Sequence, residues 1–421
     1  MRQIYKNARL YRDGRLELMD LEVNQGRIVR IEPGLQGENS DQVFPISNYI
    51  IIPGFTDVHV HLREPGFFYK ESIQTGTRSA ARGGYTDVCC MPNLDPPPDN
   101  PEHLAQLQSI IDKTACVHVF PYATLTVGRK GRGVPADYKT LTGAIAFSDD
   151  GTGIQDEALM EQCMLGVKAV GGIICAHCED ETLLDGGYIH EGEYAKAHGH
   201  KGISSESEYA QIERDLALAK KTGCRYHVCH ISTKQSVDLI RRAKAEGVDV
   251  TCETAPHYLT MCDADLQEHG RFKMNPPIRS EEDKQALIEG LKDGTIDMIA
   301  TDHAPHSAEE KDKGLAGSAM GIVGLETAFG VLNTHLVETG ILTMEQLLYK
   351  MCDAPRKRFS IPGGLAVGNS ADFAVLDIEK IYTIDANTFL SKGRSTPFDG
   401  WRVRGQCVKT VIGGRSVYDA L

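Results

Sequence analysis

No block of lysine and arginine and no apolar run of membrane-spanning length occurs in this sequence, and no glycine-rich dinucleotide fingerprint follows its early strand candidates. The first absence, with a formal net charge of -13, argues against nucleic-acid binding through a basic face. The second excludes a helical membrane span, and the start Met1-Arg2-Gln3-Ile4-Tyr5 lacks the apolar core of a signal peptide. The expected compartment is the cytoplasm. Twelve cysteines lie mostly inside apolar segments such as Cys89-Cys90, Cys229 and Cys252. They read as reduced, buried small hydrophobes. Cys175 and Cys178 form a CxxC, but no second CxxC completes a structural zinc site.

What is present starts with His59-Val60-His61, followed by Leu62-Arg63, at the end of the apolar run from Ile50 to Phe55. Alternate residues of a strand share a face, so His59, His61 and Arg63 are expected to converge. Imidazole pairs bind borderline metals such as zinc, and a guanidinium fork binds carboxylates. An isolated HxH also occurs by chance, so the rest of the chain must decide.

The 421 residues are 41% hydrophobic, enough for a large core. Length alone points to two or three domains, although one α/β barrel uses roughly 250 residues or more. Both ends are β-like and turn-rich, which predicts one small composite β-sandwich domain from residues 1–51 and 362–421. Between them, strand candidates lie at 50–60, 86–91, 117–125, 144–148, 172–176, 225–230, 248–253 and 297–301. Helical stretches such as 204–221 and 281–291 alternate with them. Eight strands alternating with helices predict a (β/α)8, TIM-like barrel over 52–361, with an open doubly wound sheet as the second choice.

Barrel active sites gather at the C-terminal strand ends. Those ends carry His59, His61 and Arg63, then Asn93, Asp149-Asp150, His177, His230, Glu253 to His257, and Asp302 with His303 and His306. Singly, each reads as a packing histidine or a capping aspartate. Together, four histidines and two aspartates exceed one tetrahedral zinc site and suit two metals sharing a carboxylate and a water. Hydrolysis of an amide-like bond, or its reversal, is the chemistry this predicts.

These motifs resemble the amidohydrolase superfamily, and within it the class I (bacterial-type) dihydroorotases. The likeness runs from Pro53 to Gly66 and continues in Met91-Pro92-Asn93, Phe147 to Gly151, Ala176 to Glu179 and Cys229 to Ser232. It goes on through Asn275 to Arg279, Thr301 to His306 and Gly321 to Glu326. The resemblance implies a zinc enzyme that reversibly converts N-carbamoyl-L-aspartate to L-dihydroorotate in pyrimidine biosynthesis, by attack of a metal-bridged hydroxide. His59, His61 and Asp302 would hold one zinc, His177 and His230 a second, with Asp150 bridging; Asp149 is the alternative for a one-residue slip. Asp302 would also shuttle the proton. Arg63, Asn93, Asn275 and His306, with backbone near Met320 and Gly321, would bind substrate. Hydantoinases and allantoinases use a carboxylated lysine after the fourth strand, whereas no lysine lies between Lys139 and Lys168. Those cyclic amidases remain the enzyme alternative, and an inactive scaffold homologue the other. A homodimer or a complex with another pyrimidine enzyme is left open. Residues 307–319 read as a solvated loop or a mobile lid. His190, His198 and His200 read as surface histidines.

Overall fold

The computed structural model describes residues 2–421, so Met1 of the expected end domain lies outside the described residues. Eight strands from the two ends of the chain form one hydrogen-bonded sheet. The joint is Tyr49–Ile52, which pairs in parallel with Gln3–Arg12 and antiparallel with Phe373–Thr383. Tyr5, Leu21, Ile51, Phe373 and Val411 are among the buried side chains that this sheet encloses.

The apolar run 50–60, expected as one strand, is two strands in two different sheets. Tyr49–Ile52 ends in the end domain, and Phe55–Val60 begins the barrel. Pro53 and Gly54 separate them, because proline has no N–H to continue a ladder. Gly54 turns the chain at φ +82°, and a Cβ there would lie 2.2 Å from Thr86 Oγ1.

The barrel is parallel: Phe55–Val60, Tyr85–Cys90 and His118–Pro121 form one arc, and Ile173–Ala176, Arg225–Val228, Val250–Thr254 and Met298–Ile299 the other. The expected fourth strand, 144–148, is reduced to single bridges from Phe147 to Ala123 and Ile174. It still links the arcs, because Ile145 and Ser148 donate to one neighbour and Phe147 to the other. The ring closes where Val60 bridges His303 and the His61 amide donates to the His303 carbonyl at 2.8 Å. Val58, Cys89, Tyr122, Cys175 and Met298 fill the interior, with Phe359 packed among them. The expected helices run Glu206–Thr222 and Glu281–Asp293. The second starts on a Ser280 capping box and stops at Gly294 in the left-handed region. All twelve cysteines are free, and no helix among the described residues is long and apolar enough to cross a membrane.

Candidate active site

His59 leaves the end of the first barrel strand completely buried. Its Nδ1 lies 2.9 Å from Glu253 Oε1. A carboxylate only accepts, so Nδ1–H donates and the Nε2 lone pair faces inward. There it meets Asp150 Oδ1 at 3.4 Å and Asp302 Oδ1 at 3.5 Å. His61 Nε2 stands 3.1 Å from Asp302 Oδ1 and 3.6 Å from Asp150 Oδ2. From the other side, His230 Nε2 approaches Asp150 Oδ1 to 3.7 Å and His177 Nδ1 to 3.0 Å. Asp150 is thus surrounded by four imidazoles. The neighbouring Asp149 points away and accepts from the Leu125, Thr126 and Gly131 amides, so it holds the loop and not the centre.

Strand alternation alone does not produce this convergence. The strand ends at Val60, and His61 and Arg63 follow in a loop with Arg63 at φ +60°. His230 and Asp302 also adopt positive φ, at +34° and +46°. Three non-glycine residues in a disfavoured backbone region at one site show that the surrounding fold dictates their placement.

The donor set fits a divalent metal. His59 Nε2 and Asp150 Oδ1 are buried and have no hydrogen-bond partner. In neutral His59, whose Nδ1–H is committed to Glu253, the Nε2 lone pair faces Asp150 Oδ1 across 3.4 Å, and a cation between them, a proton or a metal ion, satisfies both. His59, His61 and Asp302 form one triad able to hold an ion, and His59, Asp150 and His230 another. Burial disfavours the charged forms, but the mutual attraction outweighs it. Asp150 and Asp302 are held below the usual carboxylate range by the facing histidines, and His59 is pushed up by Asp150 and Asp302. In His61, burial and the Arg63 charge win and lower the pKa to about 4.

Above these groups opens a cavity of about 240 Å³ lined by Arg63, Asn93, Asn275, His306, Met320 and Gly321, together with His61, Asp150, His177, His230 and Asp302. Asn93 donates to the Asp150 carbonyl at 2.8 Å and Asn275 to Glu179 at 3.0 Å. The Oδ1 of each asparagine is buried without a partner. Arg63 Nε donates to the Pro305 carbonyl at 3.2 Å and its Nη2 lies 3.4 Å from His306. His306 Nε2–H donates to the Met320 carbonyl at 2.8 Å while Nδ1 faces Lys70 Nζ at 3.3 Å. Burial, with the Arg63 and Lys70 charges, brings His306 down to about 3 and keeps it neutral. At Gly321, φ is +134° and a Cβ would stand 2.7 Å from the Ala304 carbonyl oxygen, so glycine lets this loop approach.

The chain is 49% identical over 423 residues to the dihydroorotase of Anoxybacillus flavithermus, covering 99% of each chain. It belongs to the dihydroorotase family. The family described as Dihydro-orotase-like matches residues 48–236, and the dihydroorotase of Bacillus caldolyticus is 48% identical over 97% of this chain and 96% of its own. Among solved structures, the L-hydantoinase of Arthrobacter aurescens superposes with a TM-score of 0.88 at 29% identity, covering 99% of this chain and 96% of that one. A D-hydantoinase superposes at 0.87 with 21% identity, covering 100% and 96%, and shares the fold. The dihydroorotase family thus meets this chain on a barrel with a composite end domain.

Glu253 is the residue that sequence reasoning placed at a strand end without giving it a role. Its Oε2 lies 3.0 Å from His227 Nε2, and His227 Nδ1 lies 2.8 Å from Thr251 Oγ1. Burial raises a carboxylate, but bonds from His227 and His59 lower Glu253 to about 2. The alternation Tyr226–His227–Val228 and Thr251–Cys252–Glu253 carried the signal, since polar side chains on the inner face of a barrel strand need each other. His190 corrects a second expectation. It is buried in the short strand Ile189–His190, with Nδ1 3.4 Å from buried Arg279. The segment around it folds back and pairs with Gly202–Ile203. His198 is exposed, and His200 contacts Glu268. Residues 307–319 are not a bare loop. They contain the turns Ala308–Lys311 and Gly314–Gly317, and buried Lys311 donates to the Lys273 and Ala319 carbonyls at 2.9 and 2.7 Å.

Proposed function

We propose that this chain is a zinc-dependent dihydroorotase that interconverts N-carbamoyl-L-aspartate and L-dihydroorotate. The observation that carries the reading is the cavity that Asp150, Asp302, His61, His177 and His230 line together with Arg63, with His59 buried beneath Asp150. His59, His61 and Asp302 would hold one divalent ion and His177 and His230 a second, with Asp150 shared between them. Bound there, two such ions would acidify a water and polarise the amide carbonyl. Asp302, held ionised at the cavity wall, accepts the proton of the attacking water and returns it to the ring nitrogen as the amide C–N bond breaks. In the reverse direction the same carboxylate takes the proton from the carbamoyl nitrogen that closes the ring.

Substrate orientation comes from the other wall. The α-carboxylate meets the Arg63 guanidinium, with Asn93 and the neutral His306 beside it. The unpartnered Oδ1 atoms of Asn93 and Asn275 are acceptors for substrate N–H groups. Backbone at Met320 and Gly321 closes the pocket above His306. By the family resemblance, hydantoinase-type enzymes carry a modified lysine after the fourth strand, where this chain has no lysine between Lys139 and Lys168, and this favours dihydroorotate over hydantoins. The test is a side-by-side assay of dihydroorotate, hydantoin and allantoin hydrolysis, with metal analysis of the same preparation. Dihydroorotate turnover with about two zinc ions per chain is expected, and turnover of hydantoin alone would overturn the reading.

A further inference from the structure

A second cavity, of about 420 Å³, opens at the N-terminal mouth of the barrel, away from the metal-ligating groups. Its wall carries Arg225, Lys350, Lys357 and Arg358 against a single carboxylate, Asp297. That carboxylate is already engaged, by Lys244 Nζ at 2.6 Å and the Cys252 amide at 2.8 Å. Lys350 is only 8% exposed, and its Nζ rests on the Ile296 carbonyl at 2.5 Å and not on an acid. Arg358 pairs with Asp249, which Arg225 reaches only at 3.9 Å. Four cations gathered in one concavity of a chain with net charge -13 repel one another, and a multiply charged anion relieves that repulsion. The volume lies within the range of small-molecule sites.

A line of contacts joins this cavity to the active site through the barrel interior. Thr251 lines the cavity, and its Oγ1 lies 2.8 Å from His227 Nδ1. His227 meets one oxygen of Glu253 at 3.0 Å, and the other oxygen holds His59 Nδ1 at 2.9 Å. The same wall touches His227 a second way. The helix Ala354–Phe359 carries Lys357 and Arg358 and ends in Phe359, whose ring lies 5.4 Å from the His227 ring at 78°.

We propose that this cavity binds a small phosphorylated anion and that its occupancy is felt at His59 through His227 and Glu253. A phosphate monoester suits the lining because its oxygens accept from forked guanidinium groups and from ammonium groups at once. Drawing Lys357 and Arg358 onto the anion shifts the helix that ends in Phe359. Phe359 and Thr251 then re-seat His227, and Glu253 transmits the change to the orientation of the His59 ring. The link is a packed chain of groups, and coupling along it has to be measured.

The experiment uses the full-length, metal-loaded protein and titrates inorganic phosphate and ribose 5-phosphate by calorimetry, with metal content measured afterwards to exclude stripping. Saturable one-site binding is expected, weakened at least about tenfold in Lys357→Gln. Lys357 is exposed, so this variant folds. Absence of saturation, or equal binding by Lys357→Gln, would overturn the site, whatever the substrate of the enzyme proves to be. The link is read separately from dihydroorotate kinetics at saturating ribose 5-phosphate. A change in kcat/KM of about fivefold that disappears in Thr251→Val supports it. Unchanged kinetics with the anion bound, or an effect that survives Thr251→Val, would overturn it.

Discussion

Arg63 and Arg356 stand at opposite mouths of the same barrel and are used in opposite ways. Arg356 is buried and engaged through both Nη groups, its Nε alone lacking a partner: the Nη groups donate to the Pro53, Gly54 and Cys352 carbonyls and to Thr86 Oγ1, and Arg356 pairs with Asp87. It ties the starts of the first two strands to the last barrel helix. Arg63 has one carbonyl as its hydrogen-bond partner, no carboxylate, and a cavity in front of it. The contrast extends beyond the two arginines. At the C-terminal mouth, buried donors and acceptors are left without partners, and backbone is held at positive φ. At the N-terminal mouth, Asp87, Asp297 and Asp249 are all paired. Unpartnered acceptors and strained backbone around one cavity mark where a ligand completes the structure, and paired carboxylates mark where the chain satisfies itself.

Four substitutions test that contrast, in order of expected effect. Asp302→Ala removes a carboxylate of the triad able to hold an ion and the proposed proton carrier together. Turnover of dihydroorotate should fall by more than about a thousandfold, with the far-UV circular dichroism unchanged. Next is Arg356→Met, which leaves Asp87 buried and unpaired. Stability should drop by about 3–5 kcal/mol in urea denaturation, while kcat/KM per folded molecule stays near wild type. A large kinetic loss there, with stability intact, would erase the distinction between the two mouths. Arg63→Lys keeps the charge but loses the fork. KM should rise about thirtyfold with a smaller change in kcat, and wild-type kinetics would remove Arg63 from the carboxylate site.

The smallest effect concerns pH. His306 titrates near 3 in the folded chain because of burial and the Arg63 and Lys70 charges, whereas an unfolded histidine takes up its proton near 6.5. Between those values the unfolded chain binds the extra proton, so this group makes stability fall as pH drops from about 6.5 toward 3. His306→Asn should flatten that dependence by up to about 1.4 kcal/mol per pH unit. An unchanged slope in metal-free protein would show that His306 is free to protonate in the fold.

Much of the site was legible because its residues sit at strand ends, and strand order along the chain is also order around a barrel. His59, His61, His177, His230 and Asp302 are therefore expected at one end of the barrel from the alternation of strands and helices, and Asp150 only as one of the pair Asp149-Asp150. The substrate-side residues are less so. Asn275, Met320 and Gly321 lie in long connections, and their arrival at one cavity depends on contacts such as the Gly321 amide on the Lys273 carbonyl. The fourth strand was overestimated because its apolar run resembles its neighbours, yet only Phe147 pairs on both sides. The first was misjudged in the other direction: Pro53-Gly54 looked like part of one strand and is the border between two sheets. Glu253 and His227 escaped a role because a buried carboxylate and imidazole are costly singly and stable only as the pair that tertiary packing creates.

By itself the sequence determined the alternation of strands and helices, the pairing of both chain ends, the order of the histidines and aspartates at the strand ends and the absence of a lysine between Lys139 and Lys168. These follow from periodicity and residue type, which are local properties. Tertiary structure decided which of Asp149 and Asp150 faces the histidines, which nitrogen of His59 is free, and how Lys350 and Lys357, seven residues apart in sequence, come to line one cavity with Arg225. Those outcomes depend on distances across the barrel, where the geometry of one strand is fixed by another far along the chain.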